Sequence, residues 1–305
     1  MSITIVPSAA EGLLSWSLLC EALEAGHRLP RAQIKDMLLT QSGDSILNRA
    51  AWIEGLGSLV KVATIFPGNG ARGLASVNGA VTLFNDQTGL LEALVDFHLV
   101  TKFKTAGDSL LAASKLARRD SRKILLVGAG TVARSMIEAY STLIPEARFV
   151  VWNRSPAAAQ AMAAADARLT VTEDLAAAVT AADIICTATM SKEPLIKGEW
   201  LRPGQHLDLI GAYRPDMREA DDEVLRRASV FVDSRATTIG HIGELANPIA
   251  RGVFAETDVK ADFYDIAKGL FRRQSDDEIT LCKNGGGAHL DLMTAVYIAQ
   301  TWAAR

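Results

Sequence analysis

Apolar and polar positions follow two different rhythms along the chain. Near the start, Trp16, Leu19 and Leu23 recur at three- and four-residue intervals ahead of Gly26, and Ser8-Ala9-Ala10-Glu11 has capping-box spacing. Together they predict an opening amphipathic helix. From Gln33 to Ala80 the rhythm shortens to β-type runs broken by Gly, Asn and Asp. Strands are predicted at 45–52, 59–66 and 80–85, with Pro67-Gly68-Asn69-Gly70 as a turn cluster. This is the pattern of an α+β domain, not of a nucleotide-binding unit. A helix rich in small residues follows over 96–117, and its Thr101, Lys104, Thr105 and Asp108 share one face. Such a stripe faces either water or the wall of a cleft.

Beyond residue 122 buried strands and helices alternate. Lys123–Val127 is an apolar run without turn residues, as in a strand covered on both faces. It leads into Gly128-Ala129-Gly130-Thr131-Val132-Ala133, the G-x-G-x-x-A form of the dinucleotide fingerprint. Its two glycines permit a tight turn and let backbone N–H groups approach a pyrophosphate, and the small Ala133 lets the helix pack close to the strand. A helix over 131–140 and a strand at 148–152 complete a βαβ unit of the expected length. The alternation continues with helices at 158–165, 175–181 and 217–227 and strands at 168–171, 183–189, 205–212 and 229–233. A final strand is predicted at 279–283 and a closing helix at about 288–303. The fold class is α/β, a Rossmann-type doubly wound parallel sheet joined to an α+β domain. Thr187-Ala188-Thr189, Gly211-Ala212 and Asp233-Ser234 end strands at the carboxyl edge, where ligands bind in such sheets.

The end of the second nucleotide strand separates the two nicotinamide cofactors. A carboxylate there binds the ribose 2′-hydroxyl of NAD, whereas a nearby arginine accommodates a 2′-phosphate. The chain has Asn153-Arg154-Ser155 and no carboxylate. The residues thus read NADP(H) in preference to NAD(H), with a solvated loop arginine as the alternative for Arg154.

Length and composition narrow the class further. The 305 residues suffice for two domains, 49% are hydrophobic, and the net charge is −3 with no long charged run. Neither nucleic acid nor an anionic membrane is an expected partner. No stretch approaches the ~20 apolar residues of a membrane span, and the first residues lack a basic segment followed by an apolar core. Cys20, Cys186 and Cys282 are odd in number and far apart, which fits thiols of a reducing compartment and no metal site. A cytoplasmic protein is expected.

Hydride chemistry needs groups that position an acceptor and manage a proton. Lys61 sits in the apolar run LGSLVKVATIF, where an ammonium is costly unless it meets an anion; a snorkelling lysine is the alternative. Asp233 ends a strand at the ligand edge and is equally a turn former. Lys104 and Asp108 make an i,i+4 pair of a kind common on surfaces. The five histidines have no metal-ligand spacing.

Several segments resemble the ornithine cyclodeaminase/μ-crystallin family, which includes ketimine and Δ1-pyrroline-2-carboxylate reductases. They are VKVATIFPGN from Val60, LFNDQTG from Leu83, 101–109, the Gly128 loop, IGAYRPDMRE from Ile210 and VDSR from Val232. The resemblance implies a homodimer and a small imino or amino acid substrate. It also implies a substrate and dimerisation domain over 1–112 and 287–305, with the Rossmann domain over 113–286. It makes Lys61 the lysine near the reacting carbon and Asp233 the aspartate that handles substrate nitrogen or a proton. It places Thr82 and Gly286 near substrate and Asn284 near the nicotinamide. Where the family has Arg-Thr-Ala-Ala this chain has Lys104-Thr105-Ala106-Gly107, and an earlier family arginine is replaced by Lys35, with Arg49 close enough to serve instead. The expected activity is NAD(P)H-dependent reduction of a cyclic imino acid. Ornithine cyclodeamination, an opine- or alanine-type dehydrogenation and a non-catalytic binding role are the alternatives.

Overall fold

The computed structural model describes residues 3–305. In chain order the first elements are β1 (Thr4–Val6), α1 (Trp16–Gly26), β2 (Gln33–Gln41), β3 (Asp44–Ile53), β4 (Gly57–Ile65), β5 (Val77–Phe84), β6 (Leu91–Val95) and α2 (Phe97–Leu116). Then come β7 (Lys123–Val127), α3 (Thr131–Leu143), β8 (Arg148–Trp152), α4 (Pro156–Ala164), β9 (Leu169–Val171), α5 (Leu175–Ala181), β10 (Ile184–Thr187) and β11 (His206–Leu209). The last are α6 (Asp222–Arg227), β12 (Ser229–Val232), α7 (Arg235–Thr238), α8 (Gly243–Ala250), β13 (Thr280–Lys283) and α9 (Ala288–Ala303). Two compact units divide the chain. One comprises the chain through Lys104 together with Gly287–Arg305, and the other is Thr105–Gly286, so the division falls inside α2.

The first unit is a six-stranded sheet in the order β1-β6-β5-β4-β3-β2, antiparallel except where β1 pairs with β6. Helix α9 packs on one face of it. Strand alternation sorts β4 cleanly: Leu59, Lys61 and Ala63 are buried, whereas Val60 points the other way and is exposed. Helix α1 buries Trp16, Leu19 and Leu23, each worth roughly 1.5–3 kcal/mol of apolar burial. It approaches α9 so closely that a Cβ on Gly26 would lie 2.6 Å from the Met293 side chain. Trp16 stacks on Phe103 with ring centroids 4.3 Å apart.

The opening helix begins later than the capping-box spacing predicts. Leu14 and Ser15 are extended, so Ser8–Leu13 forms a separate 3-10 turn, and the Ser15 hydroxyl caps α1 by accepting from the Leu18 N–H at 3.4 Å. Strands β1, β2 and β6 carry little sequence signal. In β2, Met37, Leu38 and Leu39 are all exposed, so no burial alternation marks it.

The second unit is a seven-stranded parallel sheet in the order β12-β13-β11-β10-β7-β8-β9. It is a Rossmann-type sheet, with order 9-8-7-10-11 about the central β7 and the late β13 inserted between β11 and β12. The central strands β7 and β10 are buried on both faces, which explains their apolar runs. The helix expected at 217–227 is shorter, because the Asp221 carboxylate caps α6 by accepting from the Val224 N–H at 3.0 Å. No helix of the described residues is long and apolar enough to cross a membrane.

Candidate active site

In the second unit the fingerprint loop connects β7 to α3 at the carboxyl edge. Gly128 has φ +115°, and a Cβ there would sit 2.6 Å from the Ala188 carbonyl oxygen, so both its conformation and its neighbour require glycine. Around Gly130, by contrast, nothing lies within 4 Å of a built Cβ. Gly130 N-caps the 13-residue α3 without a side-chain hydrogen bond, which leaves the first N–H groups of the helix for a ligand. Thr131 and Val132 open that helix. A cavity of about 290 Å³ begins here, walled by Gly128, Ala129 and Gly130, by Asn153, Arg154 and Ser155, and by Ala188 and Thr189. Met190, Ser191 and Leu195 complete it, and no motif pointed to them. The residues present fit a dinucleotide: an open cradle over free N–H groups for the pyrophosphate, and a cationic loop beyond β8. Arg154 is exposed and makes no ion pair among the described residues, while the Asn153 amide donates to the Ser155 carbonyl at 2.9 Å. Thr187 is fully buried at the end of β10.

A carboxylate that the sequence did not single out fixes this edge. Glu219 accepts from the Thr189 N–H at 2.8 Å, the Thr189 hydroxyl at 2.7 Å, and the Gly211 and Ala212 N–H groups at 2.8 and 3.0 Å. Glu244 stands behind it and accepts from the Glu219 and Ala220 N–H groups at 2.7 and 3.0 Å. Both are fully buried. Burial, followed by the neighbouring Glu219 carboxylate, pushes the Glu244 pKa up to about 7, against the pull of Lys283 and the two N–H donors.

Asp233 is likewise fully buried just after β12. Its Oδ1 accepts from the Ser234 N–H at 2.7 Å and the Thr238 hydroxyl at 2.6 Å, and its Oδ2 from the Gly286 N–H at 2.6 Å. Gly286 thereby ties the segment after β13 to the aspartate. Asn284, the first residue past β13, is also buried.

In the first unit the apolar strand does deliver Lys61 to an anion. Its Nζ donates to Asp291 of α9 at 2.8 Å and lies 4.9 Å from the Phe97 ring centre. Arg49, opposite Lys61 on β3, reaches the same carboxylate at 3.9 Å while pairing with Asp36 at 2.9 Å. Burial lowers the Lys61 pKa; Asp291 opposes this, and Lys104 and Arg49 add to it. Burial raises Asp291, but Lys61, Lys104 and Arg49 outweigh it and hold the carboxyl at about 2. His289, edge-on to His27 at 5.5 Å, is driven well below its ordinary pKa by burial and then by His27, so it stays neutral. The outcome is three cations around one buried carboxylate, an excess of positive charge suited to an incoming anion. Lys35 and Thr82 are not part of it. Both align with Ala50 and Val60 on the opposite face of the sheet, where the Thr82 hydroxyl donates to the Val60 carbonyl at 3.0 Å. Lys104 and Asp108 are buried, so the polar stripe of α2 is not a solvated face.

The second unit thus carries a dinucleotide cradle and the first a buried cationic cluster. The family model described as "Ornithine cyclodeaminase/mu-crystallin family" matches residues 53–305. The chain belongs to that family. Among its relatives, a Δ1-pyrroline-2-carboxylate reductase of Paracoccus denitrificans is 54% identical over 300 residues, covering 96% of this chain and 95% of that protein. The structure of Thermococcus litoralis Δ1-pyrroline-2-carboxylate reductase in complex with NADH and L-proline is similar at TM-score 0.90 and 27% identity, covering 99% and 98% of the two chains. An archaeal alanine dehydrogenase dimer with bound NAD is similar at TM-score 0.90 and 27% identity, covering 100% and 97%.

Proposed function

We propose that the chain is an NAD(P)H-dependent reductase of cyclic imino acids, converting Δ1-pyrroline-2-carboxylate or Δ1-piperideine-2-carboxylate to L-proline or L-pipecolate. The observation that carries this reading is the 54% identity to a Δ1-pyrroline-2-carboxylate reductase along 96% of the chain. A bound nicotinamide supplies the hydride for the C=N carbon. The residues of the chain do the rest.

In the second unit, Gly128, Ala129 and Gly130 with the start of α3 hold the pyrophosphate. Arg154 takes a 2′-phosphate, which supports NADP(H) over NAD(H). In the first unit, Lys61, Arg49 and Lys104 take the substrate carboxylate, because Asp291 compensates only part of their charge. Lys35 and Thr82, on the other face, stand outside that set. Asp233 manages the proton on the imine nitrogen. An iminium accepts hydride better than a neutral imine, and a positioned acid is worth roughly 10²–10⁴-fold. Of its two oxygens, Oδ2 has the single donor Gly286 and so keeps a free lone pair.

We also infer a homodimer in the cytoplasm. The sheet face away from α9 carries the exposed apolar row Ile5, Leu94 and Val60, with Trp52 beside it, and the archaeal alanine dehydrogenase is a dimer. Cys20, Cys186 and Cys282 form no disulfide with one another, in keeping with a reducing compartment.

Purified protein should oxidise NADPH with either cyclic imino acid and lose that turnover on Lys61→Ala. Release of ammonia from ornithine with no net change in nicotinamide absorbance would replace the reductase by a lyase. Faster turnover of a keto acid plus an amine would replace it by a dehydrogenase.

A further inference from the structure

The second unit contains a buried polar network that the proposed chemistry does not use. Its centre is Asp208 in β11, fully buried. Asp208 Oδ1 accepts from the Ser109 hydroxyl at 2.9 Å and from the Asn284 amide at 2.8 Å, and Oδ2 accepts from the Tyr140 hydroxyl at 2.7 Å and the Cys186 thiol at 3.5 Å. Burial pushes the carboxyl pKa up, and these donors, led by Tyr140, draw it back.

The network settles which way the Asn284 amide points. Asn284 Nδ2 donates both to Asp208 and to the Ser109 oxygen, the latter at 2.8 Å. Both amide protons are spent, and turning the amide over would set its oxygen against the carboxylate. Asn284 Oδ1 is left buried with no hydrogen-bond partner among the described residues. Native structures seldom leave a buried acceptor unmade unless a ligand completes it. Asn284 stands just past β13 at the carboxyl edge, three strands from the fingerprint strand on the side away from Arg154. A dinucleotide whose pyrophosphate lies on the Gly128 loop and whose 2′-substituent meets Arg154 extends its nicotinamide toward that side.

We propose that Asn284 Oδ1 accepts a hydrogen bond from the carboxamide N–H of the nicotinamide, and that Asp208 is the positioning residue that aims it. The proposal rests on the dinucleotide part of the functional reading and not on the identity of the substrate. Asp208 touches neither cofactor nor substrate; it acts through Asn284.

The probe is the reduced 3-acetylpyridine analogue of NADPH, which keeps the ring carbonyl and replaces the amide N–H₂ by a methyl group. Binding to the full-length protein is measured by calorimetry, without turnover. Wild type should bind the analogue about tenfold more weakly than NADPH, because the buried acceptor stays unpaired. Asn284→Ala should bring the two affinities together. Asp208→Asn offers one carbonyl oxygen to four donors, so the Asn284 amide is free to turn and the ratio should fall toward unity with Asn284 intact. A general structural role for Asp208 would weaken both ligands alike and leave the ratio unmoved. Equal affinities in wild type, or a ratio that survives Asn284→Ala, would overturn the proposal; Asn284→Ala decides the matter if Asp208→Asn does not fold. A protein that binds neither nucleotide sinks the dinucleotide reading and this one together. A protein that keeps the ratio yet reduces no cyclic imine sinks the substrate reading alone.

Discussion

Replacing Glu244 with glutamine tests the electrostatics beneath the dinucleotide edge. Glu244 is sealed behind Glu219, and burial together with that second carboxylate raises its pKa from 4.5 to about 7. A raised acid pKa means that the folded protein binds more protons than the unfolded one between those two values. Stability from this group is therefore complete below about pH 4.5 and is lost as pH rises through about 7. Across the whole of that range the loss comes to roughly 3 kcal/mol. Glutamine is neutral throughout and keeps one acceptor for the Glu219 and Ala220 N–H groups. Urea unfolding at about pH 5 and about pH 8 should therefore show the wild type losing roughly 2–3 kcal/mol more than Glu244→Gln, because part of the change is already complete at pH 5. Two stability profiles that remain parallel over that range would refute the reasoning, since Glu244 would then titrate alike in both states.

Other perturbations address the remaining parts. Asp291→Asn strips the buried Lys61 of its counterion, while Arg49 keeps Asp36, and should cost roughly 3–5 kcal/mol of stability, read from denaturant midpoints. The wild type should in addition lose about 2 kcal/mol as pH falls from about 4 to about 2, where the depressed Asp291 carboxyl protonates, and the variant should lack that acid limb. Arg154→Glu should raise the Kd for NADPH more than tenfold and leave NADH equal or tighter, measured by calorimetry. Val60→Glu, in the exposed apolar row of the first sheet, should give monomers in sedimentation where the wild type gives dimers.

Much of the second unit was readable because central strands such as β7 and β10 are covered on both faces and appear as apolar runs. The insertion of β13 between β11 and β12 was not, since a parallel strand carries no local sign of its neighbours. The first unit was harder. The exposure of Met37, Leu38 and Leu39 erases the alternation that would mark β2. Lys61 could be noticed as a charge inside an apolar strand, but its partner Asp291 is 230 residues away. A signal for it existed: it is the lone carboxylate of a largely apolar α9. Glu219, Glu244 and Asp208 gave less away. Each sits among residues that look like ordinary loop, cap or strand, and only the fold reveals that the donors around it are backbone amides and buried hydroxyls.

The return of α9 to the first unit bears on the order in which the chain can mature. Everything from Thr105 to Gly286 is contiguous, so that unit has its full complement of strands while the polypeptide is still being made. The sheet begun by Thr4–Val6 has to wait for Ala288–Ala303 before one of its faces is covered and Lys61 meets its counterion. A lesion in the sixteen residues of α9 would thus be felt first at the opposite end of the chain, as a half-built sheet exposed to chaperones and proteases.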